Sequence, residues 1–175
     1  MTHRYLVTGA LVCAVLLIAS VKVKSSTVAD EFVAGQDERA ILRLIHQYSY
    51  TFDGRDLDGF MSLFTEDALW EAYNKGAATP TVSLHGSEEL RRVIAMQMND
   101  QISKGIQSRH FQTNTILTRL ASDRVQAITM IMVTWQQGSQ PATIVHTGFY
   151  RDEFTRQGAQ WKFVKRQGYL DEPSR

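Results

Sequence analysis

The sequence predicts an α+β domain in which about three N-terminal helices pack on one face of a curved antiparallel sheet. Two observations predict it. Helical periodicity of the apolar residues ends by Gly105, and the chain from Arg109 onward is a run of four strand-like segments separated by turn signals. Elements segregated in this order form two layers, each burying its apolar face against the other. A length of 175 residues, 43% of them hydrophobic, supports one such domain with a substantial core.

Residues 1–29 stand apart from that domain. His3 and Arg4 precede an uncharged run from Tyr5 to Val21, followed by Lys22, Lys24 and small residues at Thr27 and Ala29. Basic, apolar and small segments in this order form an export signal. The run is shorter than the roughly 20 apolar residues of a comfortable membrane span, and an uncleaved N-terminal anchor is the alternative. The expectation is an exported protein, secreted or periplasmic, held to a membrane by residues 5–21 only if the segment is retained. The single cysteine, Cys13, lies inside the run. The domain at 30–175 then carries no thiol, which fits an oxidising compartment without requiring a disulfide scaffold.

Each element of the domain has its own signal. In "DERAILRLIHQYSYTF", Ile41, Leu44, Ile45, Tyr48 and Phe52 form one stripe at helical spacing, and Gly54 is expected to stop that helix. "LDGFMSLFTEDALW" predicts a short second helix running into a strand near Ala68 to Tyr73. "NKGAATPTVSLHG" reads as a loop or an edge hairpin, and Ser87 is placed to cap the helix "EELRRVIAMQMNDQISKG". The strand-like segments are "RHFQTNTILTRL", "RVQAITMIMVTWQ", "ATIVHTGFYRDEFTR" and "QWKFVKRQGYL", an antiparallel meander. "AITMIMVTW" is apolar on both alternations, so the sheet's second face needs cover as well. A homodimer, or homotrimer, through the sheet supplies it.

Nineteen Lys and Arg against 18 Asp and Glu, dispersed along the chain, leave a formal charge of +1 and no basic patch for nucleic acid. The expected partner is a small hydrophobic organic molecule. No cofactor is expected, since no Gly-rich phosphate or dinucleotide loop is present, and no metal, since HExxH and cysteine clusters are absent.

Candidate site residues follow from side-chain direction. Projection at about 100° per residue puts Tyr48 inside the first helix's apolar stripe and Tyr50 outside it. Asp53 falls about 120° from the stripe's centre, so it is either a solvated turn carboxylate or a pocket residue admitted by a loosened helix end. Strand alternation puts His110, Gln112 and Asn114 on one face and Phe111, Thr113 and Thr115 on the other. His146 shares a face with Tyr150, as a pocket or an edge residue, and Trp70 and Trp135 read as core or pocket wall. Arg166 shares a face with Val164 and not with Trp161 or Phe163, unless a bulge intervenes, which favours a surface charge.

The order "AILRLIHQYSYTFDGRDLDGFMSLFTEDALWE", "HGSEEL", "RHFQTN" and "YRDEFTRQGAQWKFVKR" resembles the SnoaL-like branch of the NTF2-like superfamily over Asp37 to Gly168. That resemblance implies a cone-shaped fold with an internal pocket. The site pattern is similar to bile-acid 7-alpha-dehydratases and hexachlorocyclohexane dehydrochlorinases, and more distantly to scytalone dehydratases, which eliminate with a His/Asp pair. By that resemblance Asp53 and His110 are the pair, and Tyr48 and Arg166 complete the catalytic set. Asn114, His146, Trp70 and Tyr150 would bind substrate. Tyr48, where the dehydrochlorinase has a lysine, inclines the expected function to a cofactor-independent dehydratase acting on a carbonyl-type substrate. A non-catalytic ligand-binding or dimerisation module, and a polyketide or terpenoid cyclase, are the alternatives.

Overall fold

In the computed structural model, which describes Val33 and residues 35–173, helices α1 (Gly35–Asp53), α2 (Leu57–Ser62) and α3 (Gly86–Ser103) lie against one six-stranded sheet. The expected export signal or anchor at 1–29 lies outside the described residues. The strands are β1 (Phe64–Lys75), β2 (Val82–His85), β3 (Ile106–Ala121), β4 (Arg124–Gln137), β5 (Thr143–Gln157) and β6 (Gln160–Pro173), in the spatial order β2-β1-β6-β5-β4-β3. The expected meander is present from β3 to β6, and β1–β2 is the edge hairpin. One pairing departs from it: β1 runs parallel to β6, so the sheet is mixed.

The core fills the space between α1, α2 and the β1–β6–β5 end of the sheet. Ile41, Ile45 and Phe60 from the helices meet Phe154 and Phe163 from the strands, all fully buried, with aromatic ring centroids 4.8 to 5.2 Å apart along Phe60–Phe64–Phe163–Phe154. Tilted and offset ring contacts of this kind add to the burial of area alone.

Three local features differ from the sequence reading, each for a physical reason. The stop of α1 is made by Arg55 and not by Gly54. The bonds Arg55 N–H to Phe52 O (3.1 Å) and Asp56 N–H to Thr51 O (2.9 Å) close a Schellman turn with Arg55 left-handed at φ 63°. Gly54 still continues the helix, bonding back to Tyr50 O at 2.9 Å. The cap of α3 is His85, with Ser87 already inside, and the Glu89 carboxylate accepts the His85 N–H at 2.9 Å. The strands β3 and β6 each carry a bulge that reverses their alternation. On β3 the extra residue falls between Thr113 and Ile116, with Asn114 at φ 53°; on β6 it is Val164, between the pairs Glu153–Lys165 and Phe154–Phe163.

At the far end of the core, Asp37 in the first turn of α1 receives Arg119 of β3 (3.0 Å), Trp161 Nε1 of β6 (3.2 Å) and Arg156 of β5. Burial alone would raise this carboxyl, but bonds from Arg119 and Trp161 and the charge of Arg156 outweigh it and hold it below its ordinary value. A carboxylate lowered by folding stabilises the native state above its unfolded pKa and stops doing so as pH falls through the folded one. Asp37→Asn is therefore expected to cost about 2 kcal/mol at pH 7. In urea melts that deficit should shrink as pH falls below the ordinary value of 3.8; a deficit that persists undiminished at the acid end contradicts the assignment.

Candidate active site

The end of α1 carries an anion where the helix dipole disfavours one. Asp53 is 9% exposed, and its carboxylate is met by three donors from β3. Oδ2 accepts the His110 backbone N–H at 2.8 Å, while Oδ1 accepts Ser108 Oγ–H at 2.9 Å and His110 Nδ1 at 2.7 Å. An ionised carboxylate only accepts, so Nδ1 carries the proton and Nε2 of the neutral ring is left with its lone pair. Behind this pair, Arg55 donates to Ser108 Oγ (3.2 Å) and Ile106 O (2.8 Å), a cation placed at the negative end of the helix. Gln107 Nε2 takes the Asp53 carbonyl at 3.0 Å.

Asp53 reaches β3 with the helix intact to its last turn. The projection that set it outside assumed one buried stripe, whereas α1 is covered on two sides. His46, Ser49 and Asp53 recur at i, i+3 and i+7, and Ser49 and Asp53 both bond to β3. That polar stripe was visible in the sequence and marks the flank facing the edge strand.

His110 forms part of the wall of a cavity of about 330 Å³ between α1, α3 and the sheet. Tyr48, Trp70, Tyr150, Trp135 and His146 are also in that wall, so five residues singled out from the sequence and one read as core or wall converge on one space. A second, larger groove of about 700 Å³ between α1 and β3 also reaches Asp53 and His110, past His46, Tyr50 and Arg109. Tyr48 is buried, with Trp70 Nε1 donating to its hydroxyl at 3.4 Å, and Tyr50 is 80% exposed, as the projection required. Burial first, and then the neighbouring Tyr48 phenol, hold the Tyr150 hydroxyl well above the usual phenol range, which leaves it a donor. His146 is half-exposed and bonds through Nδ1 to Glu172 at 3.2 Å.

Two expected site residues stand elsewhere. Asn114 is exposed and bonds to Met130 Sδ at 3.3 Å, because the β3 bulge turns it away from His110 and brings Thr115 inward to bond Thr129. Arg166 is inside the protein but not in the cavity wall. The β6 bulge places it beneath the wall, its guanidinium 3.9 Å from the Tyr48 ring centre, 4.0 Å from Tyr150 and 4.5 Å from Phe163. It forms a two-bond pair with Asp152 (2.8 Å each) and donates to Gln112 Oε1 at 3.0 Å. Gln112 Nε2 in turn holds Ile45 O and Ser49 Oγ of α1. Burial works against the Arg166 charge, yet the Asp152 carboxylate outweighs it and keeps the guanidinium protonated. Asp152, Ser108 and Gln112, which the sequence reading did not single out as site residues, are thus the supports of the site. Among the described residues, no three His, Cys, Asp or Glu side chains gather as a metal site would need.

A profile of the SnoaL-like domain matches residues 34–167, and the chain belongs to that family. Its fold is the NTF2-like, cystatin-like one. Among solved structures, LinA is similar at 20% identity and TM-score 0.62, over 78% of this chain and 86% of LinA. A protein from Novosphingobium aromaticivorans assigned as a scytalone dehydratase is similar at 20% identity and TM-score 0.64, over 77% of this chain and 84% of that one. An NTF2-like protein with a cystatin-like fold from the same organism is similar at 21% identity and TM-score 0.64, over 77% and 82%. At these identities the likeness speaks to the fold. A search of functionally curated proteins finds no match.

Removing one partner of a buried pair leaves the other charged and uncompensated. Arg166→Met is expected to cost about 3–5 kcal/mol of unfolding free energy, and Asp152→Leu in the same chain to recover much of that loss. Equal and additive losses in a double-mutant cycle by denaturant melts would contradict the pairing.

Proposed function

We propose that the protein is a cofactor-independent lyase or isomerase, and in its most specific form a dehydratase, that abstracts a proton from carbon beside a carbonyl. The observation that carries this reading is the buried 2.7 Å contact of Asp53 with His110 Nδ1, on a ring that borders an aromatic-lined cavity. Asp53 fixes the ring and steadies the imidazolium, and Nε2 is the base. As the C–H bond breaks, the proton goes to Nε2 and the electron pair moves onto the carbonyl oxygen. The hydrogen-bonded phenols of Tyr48 and Tyr150 supply the donor available to that oxyanion. In the elimination the enolate returns its electrons, the C–O bond to the β-hydroxyl breaks, and that oxygen takes the proton from His110 and leaves as water. Isomerisation shares the first step and returns the proton to another carbon.

Arg166 acts through other residues. It touches the cavity only through the rings of Tyr48 and Tyr150, so it is a positioning residue in this scheme. The likeness to a protein assigned as a scytalone dehydratase agrees with the reaction class. We also propose that two copies pair through the outer sheet face, where Phe111, Ile116, Ile128 and Met130 are exposed.

Deuterium exchange at the α-carbon of 2-tetralone, followed by NMR with the full-length chain in D₂O, tests the base directly. The wild type is expected to accelerate exchange, and Asp53→Asn and His110→Gln each to lower it by about 10²–10⁴-fold. Wild-type exchange no faster than buffer, or exchange that survives both substitutions, excludes the dyad as the base.

A further inference from the structure

The wall of the cavity contains a polar residue that the mechanism does not use. Gln101, in the last turns of α3, is 7% exposed and shares the cavity with His110 and Tyr150. Its amide oxygen is buried and receives no hydrogen bond from any described group. Such an acceptor costs free energy in the ligand-free protein, so most native ones are satisfied. The same wall contains Ile131, Val133 and Leu170, whose side chains have no donor, and Asp100, beside Gln101 in sequence, is itself an acceptor. The terminal amide torsion is broad and roughly two-fold, so the oxygen can turn to face an occupant of the cavity.

We propose that Gln101 is a specificity-determining residue that accepts a hydrogen bond from a hydroxyl of the hydrophobic ligand. The name "substrate" for that ligand rests on the catalytic reading above; the binding role does not. The cavity then has two chemical sides. The phenol donor of the Tyr48 and Tyr150 pair suits a carbonyl, and the Gln101 oxygen suits a hydroxyl. A neutral hydroxy-ketone matches both, and a deoxy analogue leaves the Gln101 oxygen unpaired. Discrimination by an unpaired buried group is stronger than discrimination by a lost methylene.

The test measures affinity for 2-tetralol and for tetralin, through the fluorescence of Trp70 and Trp135, in the full-length wild type, Gln101→Met and Gln101→Glu. The wild type is expected to bind the alcohol about five-fold more tightly than the hydrocarbon, the size of one neutral hydrogen bond. Gln101→Met should abolish that preference while raising the melting temperature by about 2–4 °C, since an unpaired acceptor is removed. Gln101→Glu keeps an acceptor oxygen and should keep the preference, which preserves the test if the methionine variant does not fold. Failure of the wild type to prefer the alcohol overturns the proposal. So does a preference unchanged in Gln101→Met, or one lost in Gln101→Glu. Neither probe measures proton abstraction, so the outcomes separate. A Gln101-dependent preference in a chain that does not accelerate 2-tetralone exchange removes the enzyme reading and leaves the hydroxyl site.

Discussion

A negative charge at the wrong end of a helix is the constraint around which this site is organised. The Asp53 carboxylate sits at the negative, carbonyl end of α1, where it is held by a backbone N–H, a hydroxyl and an imidazole N–H that β3 delivers to it. Those donors come from Ser108 and His110, residues two apart on one face of a strand. The register of β3 against α1 is therefore also the geometry of the dyad. Arg55 belongs to the same arrangement, since the Schellman turn that ends the helix puts its guanidinium against Ser108 and the Ile106 carbonyl. Helix termination, strand placement and the tautomer of one histidine are thereby a single problem with a single solution.

A second buried polar layer lies beneath the first. Asp152 and Arg166 pair through two hydrogen bonds, and Arg166 reaches Gln112, which holds α1 by a carbonyl and a hydroxyl. The guanidinium lies against the faces of Tyr48 and Tyr150, so the two phenols of the cavity wall rest on a cation. A charge buried this deeply is costly without its partner, and a paired one confers little net stability. Its effect is positional, fixing which way the rings and the first helix face.

The fold was legible because helices and strands are segregated and each keeps its period: the stripe Ile41–Phe52 and the turn signals between the strands place nearly every element. Site legibility followed the same logic as far as the periodicity held. Tyr48 and His110 point where helical projection and alternation send them. On the strands the failures lie where a single residue breaks the period. The left-handed turn at Asn114 and the extra Val164 each reverse a strand, and a one-residue slip sends every later side chain to the other face. Asn114 was misplaced outward-for-inward by the first and Arg166 inward-for-outward by the second. The parallel pairing of β1 with β6 left no local mark, because it depends on how the chain returns and not on any segment's composition.

The most direct measurement of the central claim is the ¹⁵N NMR spectrum of the His110 ring in the full-length chain, with the assignment fixed by His110→Gln. A carboxylate at 2.7 Å from Nδ1 requires a protonated Nδ1 and a bare Nε2 in the neutral ring, the arrangement that leaves a base free for the cavity. Asp53→Asn should abolish that asymmetry. A proton resident on Nε2, or a ring averaging between tautomers in the wild type, would contradict the dyad and leave the cavity without its base.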